Sequence, residues 1–148
     1  MADRGFQVRA LGEIAIRCAD MDTMEAFYRD VIGLEVLSHR DEGITFFKIA
    51  DGHAGHTAVL ALFSAQAGRP ELHQVAQARP ATGAGSSLHH LALSVGWEEQ
   101  EAVMRWYDDL DQPYRVQHFA WIGWRGILTR DPEGNTVELV AADPEFPR

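Results

Sequence analysis

The feature that most constrains the fold of this chain is an internal repeat. An alternating apolar segment, Glu13 to Cys18, precedes a helical pattern, and the same order returns from His90 onward. In both helical segments the apolar residues recur at i, i+3, i+4 and i+7, and one constant shift along the chain maps the first set onto the second. The two predicted core stripes are Met24, Phe27, Tyr28 and Val31, and Val103, Trp106, Tyr107 and Leu110. A chain that repeats one supersecondary unit is expected to fold as two copies of it.

Each half reads as a strand, a helix and three further strands. The further strands are predicted at Leu34–His39, Ile44–Ile49, Thr57–Phe63, Tyr114–Phe119, Arg125–Thr129 and Thr136–Val140. One βαβββ unit leaves a face of its sheet open, and two copies can bury that face. We therefore predict an α+β fold with two tandem βαβββ modules, residues 11–63 and 88–140, that form a cupped, partly closed eight-stranded mixed sheet. A linker over 64–87, rich in Ala, Gly, Pro, Gln and Ser, would join them within a single domain, 1–148.

Composition narrows the classes of function. The chain has 13 Lys and Arg against 22 Asp and Glu, a net charge of -9, and the acidic residues are dispersed, so a nucleic acid partner is not expected. No apolar run approaches the roughly 18 residues of a membrane span, and the N-terminus shows no signal-peptide core. We expect a cytoplasmic protein without a membrane partner. The single Cys18 excludes a disulfide within the monomer.

The repeat brings residues with metal-binding side chains to equivalent positions. A second constant shift along the sequence aligns Glu13 with His90, each at the start of the first strand of its half. The same shift aligns Ala61 with Glu138, each in the last strand. In a pseudo-twofold arrangement these four positions converge, and three of them carry groups that ligate metals. The simpler interpretation remains open for each: a solvated strand end for Glu13, a core histidine for His90 and a polar sheet face for Glu138.

The paired halves and three segments, "FYRDVIGLEV", "HHLALSV" and "DPEGNTVELV", resemble the vicinal oxygen chelate superfamily over nearly the whole chain. That superfamily includes glyoxalase I, extradiol dioxygenases, methylmalonyl-CoA epimerase, and fosfomycin and bleomycin resistance proteins. The resemblance implies a divalent metal (Fe, Mn, Zn, Ni or Mg) that chelates two neighbouring oxygens of a small-molecule substrate. By the same resemblance, His90 and Glu138 match metal ligands of the second module, and Glu13 stands where the first module usually has His or Gln.

Two departures from the superfamily pattern bear on the chemistry. Ala61 replaces a fourth ligand and cannot coordinate, so positions on the metal would be open to water or substrate. Leu128 stands where extradiol dioxygenases usually have Tyr, which weakens the case for ring cleavage. Two carboxylates and one imidazole form an oxygen-rich donor set suited to several divalent ions. In a metal-assisted lyase or isomerase a Glu moves the proton, and Glu138 and Glu13 are the catalytic candidates.

Aromatic and basic residues are candidates for substrate binding. Those predicted to face the central space are Phe47, Phe119, Trp121 and Trp124, which would stack a planar substrate, although core packing explains them equally well. Arg125 is a candidate clamp for an anionic group. The sequence leaves open whether His53, His56 or His118 reaches the site. His89 is expected on the opposite face of the strand from its neighbour His90.

Three classes of function remain open. The first is a metal-dependent small-molecule enzyme with lyase, isomerase or epimerase, or dioxygenase chemistry. The second is a metal-free binding or drug-sequestering protein of the bleomycin-resistance type, favoured by Ala61, by the Glu at position 13 and by an acidic charge that would attract cationic drugs. The third is a regulatory domain that retains only the fold. A homodimer is expected, because a symmetric partner can cover sheet edges and apolar helix surface.

Overall fold

The computed structural model describes residues 4–40, 43–67 and 88–147 of the chain. Internal contacts divide the chain into two compact units, Met1–Gly68 and Arg69–Arg148. Of the predicted linker, residues 64–67 are described, and Ser64 is still the last residue of a strand. The rest of that linker lies outside the described residues.

The first unit contains a four-stranded mixed sheet and one short helix. Its elements are β1 (Glu13–Cys18), α1 (Met21–Ala26), which continues as a π-helical turn (Phe27–Val31), β2 (Glu35–Arg40), β3 (Ile44–His53) and β4 (His56–Ser64). The strand order is β1-β4-β3-β2, with β1 parallel to β4 and the other pairs antiparallel. Asp20 caps the helix by accepting a hydrogen bond from the backbone N–H of Thr23 at 3.1 Å.

The core of the first unit lies between α1 and one face of its sheet. Met24, Phe27 and Tyr28 of the predicted stripe are buried, whereas Val31 is half-buried. The Tyr28 ring packs on the ring of Phe47 in β3, with centroids 6.3 Å apart. The helical periodicity therefore predicted the inward face of this helix.

The second unit repeats the first. Its elements are β5 (Leu91–Ser94), α2 (Glu99–Asp109), β6 (Arg115–Phe119), β7 (Trp124–Arg130) and β8 (Thr136–Ala142). The strand order is β5-β8-β7-β6, again with the first pair parallel. The predicted α+β fold with two tandem βαβββ modules is confirmed. The eight described strands are hydrogen-bonded as two four-stranded sheets, and neither sheet closes into a barrel.

The strand registers show the same repeat at the level of single residues. Ala61 in β4 lies beside Ala15 in β1, and Glu138 in β8 lies beside Ala92 in β5. The two pairs are related by the constant shift that the sequence suggested for the strand residues. Ala61 and Glu138 therefore occupy equivalent positions in their two sheets.

The core of the second unit differs from its predicted stripe. Tyr107 is fully buried, but Trp106 and Leu110 are 47% and 42% exposed. The other fully buried side chain of α2 is Gln100, whose amide nitrogen donates to the backbone oxygens of Arg125 at 2.6 Å and Leu139 at 3.0 Å. A polar residue thus takes part of the inward face, because the sheet offers its amide hydrogen-bond partners. Neither described helix is long and apolar enough to cross a membrane.

Candidate functional site

A tight turn sets the position of Glu138. The Asp131 carboxylate accepts hydrogen bonds from the backbone N–H groups of Glu133 at 2.9 Å and Asn135 at 3.0 Å, and Gly134 adopts a positive φ of 85°. Strand β8 follows immediately. Its buried residues Val137 and Leu139 alternate with Glu138, which therefore projects from the opposite face of the sheet.

The Glu138 carboxylate is buried although it projects from the face of the sheet opposite Val137 and Leu139. The residue is 4% exposed, and it sits on a central strand between Ala92 of β5 and Leu128 of β7. A Cβ atom added to Gly126 would lie only 2.1 Å from the Glu138 Oε1 atom. The absent side chain at Gly126 therefore leaves the space that the carboxylate occupies.

Two adjacent histidines form a series of contacts that begins at the Glu138 carboxylate. The Nε2 atom of His90 lies 3.3 Å from Oε2 of Glu138, and the Nδ1 atoms of His89 and His90 are 2.8 Å apart. His89 was expected on the other face, but strand β5 begins only at Leu91, so the alternation of a regular strand does not apply to either histidine. A neutral His90 that donates from Nε2 to Glu138 accepts at Nδ1 from His89.

These groups form part of the wall of a cavity of about 320 Å³ in the second unit. Its remaining walls are mostly apolar and aromatic, and Trp121 at its rim is 79% exposed. The lining residues are His89, His90, Ala92, Gln117, Phe119, Trp121, Trp124, Leu128, Thr136, Glu138 and Val140. The structure thus brings together five predicted site residues: His90, Glu138, Phe119, Trp121 and Trp124. The size and lining are typical of small-molecule sites.

Two predicted substrate-binding residues instead lie in structural positions. Phe47 is fully buried in the core of the first unit, against Tyr28, because it projects from the helix-facing side of β3. Arg125 projects from β7 toward α2, away from the cavity. Its guanidinium lies 3.9 Å from the centre of the Trp97 ring, and its Nε donates to Gln100 Oε1 at 2.5 Å. Phe47 and Arg125 are therefore part of the packing and not of the cavity.

The other predicted residues are distributed along strand ends and edges. Glu13 is the first residue of β1 in the first unit and is exposed. His53 and His56 pair across the β3–β4 hairpin and line a separate groove of about 250 Å³. His118 lies opposite Arg125, so it projects from the face of the second sheet that is turned away from the cavity. Within the part of the chain that the structure describes, no three His, Cys, Asp or Glu side chains are grouped to hold a metal.

Two contributors to the site were missed at the level of sequence. The His89–His90 doublet was visible in the sequence. A difference of one residue in where strand β5 begins decides whether both histidine side chains lie on the same side of the sheet. Gly126 carried a weaker signal, a glycine inside an apolar strand pattern, which often marks a close approach of another group. Neither signal specified Glu138 as the partner.

Comparisons with known proteins agree with the fold. The family model of the Glyoxalase/Bleomycin resistance protein/Dioxygenase superfamily matches residues 10–139, and the chain belongs to this superfamily. The predicted resemblance is confirmed. No curated protein sequence matches the chain.

Solved structures of the superfamily are similar over most of their length. A lactoylglutathione lyase from Agrobacterium tumefaciens is 26% identical, with a TM-score of 0.63 over 89% of this chain and 92% of the other. A glyoxalase/dioxygenase from Nostoc punctiforme is 18% identical, with a TM-score of 0.66 over 97% of both chains. A genomically encoded fosfomycin resistance protein from Listeria monocytogenes is 16% identical, with a TM-score of 0.61 over 94% and 98%. The last two show a shared fold.

Proposed function

We propose that this protein is a metal-dependent enzyme that acts on a small molecule in the cavity of its second unit, with lyase or isomerase chemistry. One observation carries the proposal: a carboxylate that is 4% exposed, Glu138, is paired with His90 in the wall of an aromatic-lined cavity. Buried carboxylates are costly unless paired, and a few polar groups that converge in a mostly apolar pocket are typical of functional sites. The 26% identity to a lactoylglutathione lyase favours lyase chemistry over dioxygenation.

The two paired side chains fit a divalent cation. An imidazole nitrogen and a carboxylate oxygen are ligands of Zn²⁺, Fe²⁺, Mn²⁺ and Ni²⁺, and the oxygen also suits Mg²⁺. The atoms His90 Nε2 and Glu138 Oε2 are 3.3 Å apart, less than the sum of two metal–ligand bonds of about 2.0 to 2.2 Å. Glu13 remains the predicted third ligand, because the repeat gives it the position in the first unit that His90 has in the second.

Residues that line the cavity supply the remaining catalytic and binding roles. A bound divalent cation would polarise a substrate oxygen and stabilise negative charge that develops on it. Glu138 Oε1, which lies over Gly126 and not against His90, is available to take a proton from the substrate and return it. Trp124 and Phe119 line the cavity and would stack a planar substrate, while Leu128 and Val140 supply apolar wall that excludes water.

Metal binding tests the proposal directly. The protein is stripped with a chelator and titrated with Mn²⁺, Fe²⁺, Ni²⁺, Zn²⁺ and Mg²⁺ in a calorimeter. Wild type is expected to bind at least one of these ions at one site per chain, and Glu138→Gln is expected to weaken that binding by at least about tenfold, because a neutral amide is a poorer ligand than a carboxylate. Glu101→Gln, an exposed change on α2, is the matched control and should bind as wild type does.

Two results would overturn the metalloenzyme proposal. One is a wild-type protein that binds none of the five ions, and the other is a Glu138→Gln variant that binds them as tightly as wild type does. Glu13→Gln in the same titration tests the predicted third ligand separately. An unchanged affinity there would remove Glu13 from the ligand set and leave His90 and Glu138 in it.

A metal-free ligand-binding protein is the second candidate. Ala61, at the position equivalent to Glu138, cannot coordinate, and Trp121 presents an exposed ring at the cavity mouth. This function predicts that a planar cationic compound quenches tryptophan fluorescence equally with and without a chelator. Saturable quenching that disappears in the Trp121→Ala variant, in a protein without metal affinity, would favour it over the enzyme.

A homodimer remains our proposal for the assembly. The exposed Trp106 on α2 and Leu110, which caps its C-terminus, supply apolar surface that a second copy can cover. Sedimentation equilibrium should give twice the chain mass at tens of micromolar. A single species of monomer mass at that concentration would contradict the proposal.

A further inference from the structure

The cavity in the second unit continues into a groove of about 690 Å³. The two share His89, Gln117, Leu128 and Thr136, so one molecule can occupy both. The groove adds residues from the ends of β6 and β7 and from the loop before β6. Its complete lining among the described residues is His89, Gln112, Pro113, Tyr114, Arg115, Gln117, Leu128, Thr129, Arg130 and Thr136.

The groove differs in charge from the rest of the protein. The chain carries 22 acidic residues and a net charge of -9, yet none of the described residues that line the groove is Asp or Glu, whereas Arg115 and Arg130 both line it. Within the described ranges, neither guanidinium forms a salt bridge with a carboxylate, in contrast to Arg29 and Lys48. The polar contact seen for the Arg115 side chain is a 3.1 Å hydrogen bond to Gln117 Oε1, another groove residue.

The strand register places both arginines on the cavity face of the sheet. Arg115 lies opposite Leu128, which in turn lies opposite Glu138, and Arg130 lies opposite Thr136. From strand spacings, their Cα atoms are about 8 to 10 Å from that of Glu138. Both side chains are therefore on the same sheet face as the Glu138 carboxylate, within the length of a small molecule.

The same face ends in aromatic residues on its other side. Phe119 lies opposite Trp124 at the far ends of β6 and β7, and Trp121 follows in the turn between them. The face thus runs from two guanidiniums, past Glu138 and His90, to a group of aromatic rings. A ligand that satisfies both ends has an apolar, planar body and an acidic group.

We propose that the substrate is an amphipathic acid whose carboxylate or phosphoryl group binds Arg115 and Arg130 while its apolar body lies against Trp121, Trp124 and Phe119. Guanidinium groups recognise both kinds of oxyanion through paired N–H donors. This inference rests on the proposed function only in taking the cavity as the substrate site, because binding of the acidic group involves neither His90 nor a metal.

The test uses three matched probes that share one aromatic body: 2-naphthoic acid, 2-naphthyl phosphate and the neutral 2-naphthalenemethanol. Binding is followed by quenching of tryptophan fluorescence in metal-free protein. Wild type is expected to bind at least one acid about tenfold or more tighter than the alcohol, which corresponds to one charge-assisted contact or more. The ratio between the two acids shows whether a carboxylate or a phosphoryl group is preferred.

Variants assign that preference to the arginines. The double substitution Arg115→Gln with Arg130→Gln should abolish the preference for the acid and leave the affinity for the alcohol unchanged. Arg105→Gln, which removes one exposed charge from α2, should leave both affinities unchanged. Added salt should weaken acid binding in wild type and have little effect on the double variant.

Three results would overturn the inference: equal affinity of wild type for acids and alcohol, no binding of any probe at millimolar concentration, or a double variant that keeps the acid preference. Failure of the proposed enzyme function is distinguishable from these outcomes. It would appear as absent metal binding in the titration above, whereas the probe measurements contain no metal.

Discussion

Replacing Gly126 with Ala tests the placement of Glu138 more directly than any change to the carboxylate itself. The added Cβ would lie 2.1 Å from Oε1 and 2.9 Å from Cδ of Glu138, so the carboxylate must move by about 1 Å to reach an ordinary contact. The 3.3 Å separation from His90 is already long for a hydrogen bond. The shift should therefore break the pairing between the two side chains.

The expected change in the free energy of unfolding is the sum of three contributions. An off-rotamer Glu138 costs about 0.5 to 1.5 kcal/mol, and a buried carboxylate that loses its partner costs about 1 to 3 kcal/mol. The lower chain entropy of Ala in the unfolded state returns about 0.4 to 1 kcal/mol. We expect Gly126→Ala to lower the free energy of unfolding by about 0.5 to 4 kcal/mol. In a Glu138→Ala background, where the clash is absent, only the entropic gain of about 0.4 to 1 kcal/mol should remain.

Urea denaturation followed by circular dichroism measures this double-mutant cycle. Wild type, the two single variants and the double variant should show a coupling of about 1.5 kcal/mol or more between Gly126 and Glu138. Gly12→Ala is the matched control, because its added Cβ would lie 3.4 Å from the His56 ring. An equal cost of Gly126→Ala in both backgrounds would refute the placement of Glu138 over this glycine.

Three further changes test single contacts. Tyr107→Phe should raise stability by about 1 kcal/mol, because its buried hydroxyl has no hydrogen-bond partner among the described residues. Burial raises the pKa of Tyr107 from 10.0 to about 12, so wild type should lose stability between pH 10 and 12 relative to this variant; parallel curves would contradict this. His89→Gln should weaken metal binding about tenfold by releasing His90, unlike His118→Gln. Arg125→Lys should lower the unfolding midpoint without changing probe affinity; weaker binding of the acids would restore Arg125 as a ligand contact.

Local pattern in the sequence predicted most of the architecture. Alternating and helical periodicities located the eight described strands and both described helices, and the constant shift between the two halves matched the strand register. Flanking apolar residues and the turn before β8 left two directions open for Glu138, and the match between the two halves of the sequence favoured the inward one. These features depend on neighbours in the chain, so they are visible without the fold.

The errors concern contacts between elements. Trp106 belongs to a helical stripe by spacing, yet the sheet beneath α2 binds the Gln100 amide instead and leaves the indole exposed. Phe47 and Arg125 carry side chains suited to a ligand. Their roles depend on which face of the sheet each residue occupies and on what covers that face. Periodicity in the sequence cannot show what covers a face.

The sequence by itself determined two repeated modules, the strand that carries Glu138 and the chemical identity of the groups near it. Only the tertiary structure decided that His89 lies beside His90, that Gly126 leaves space for a carboxylate, and that two arginines share a face with Glu138. The physical reason is that strand pairing joins residues far apart in the chain. A shift of one residue in the start of a strand exchanges which of its side chains meet.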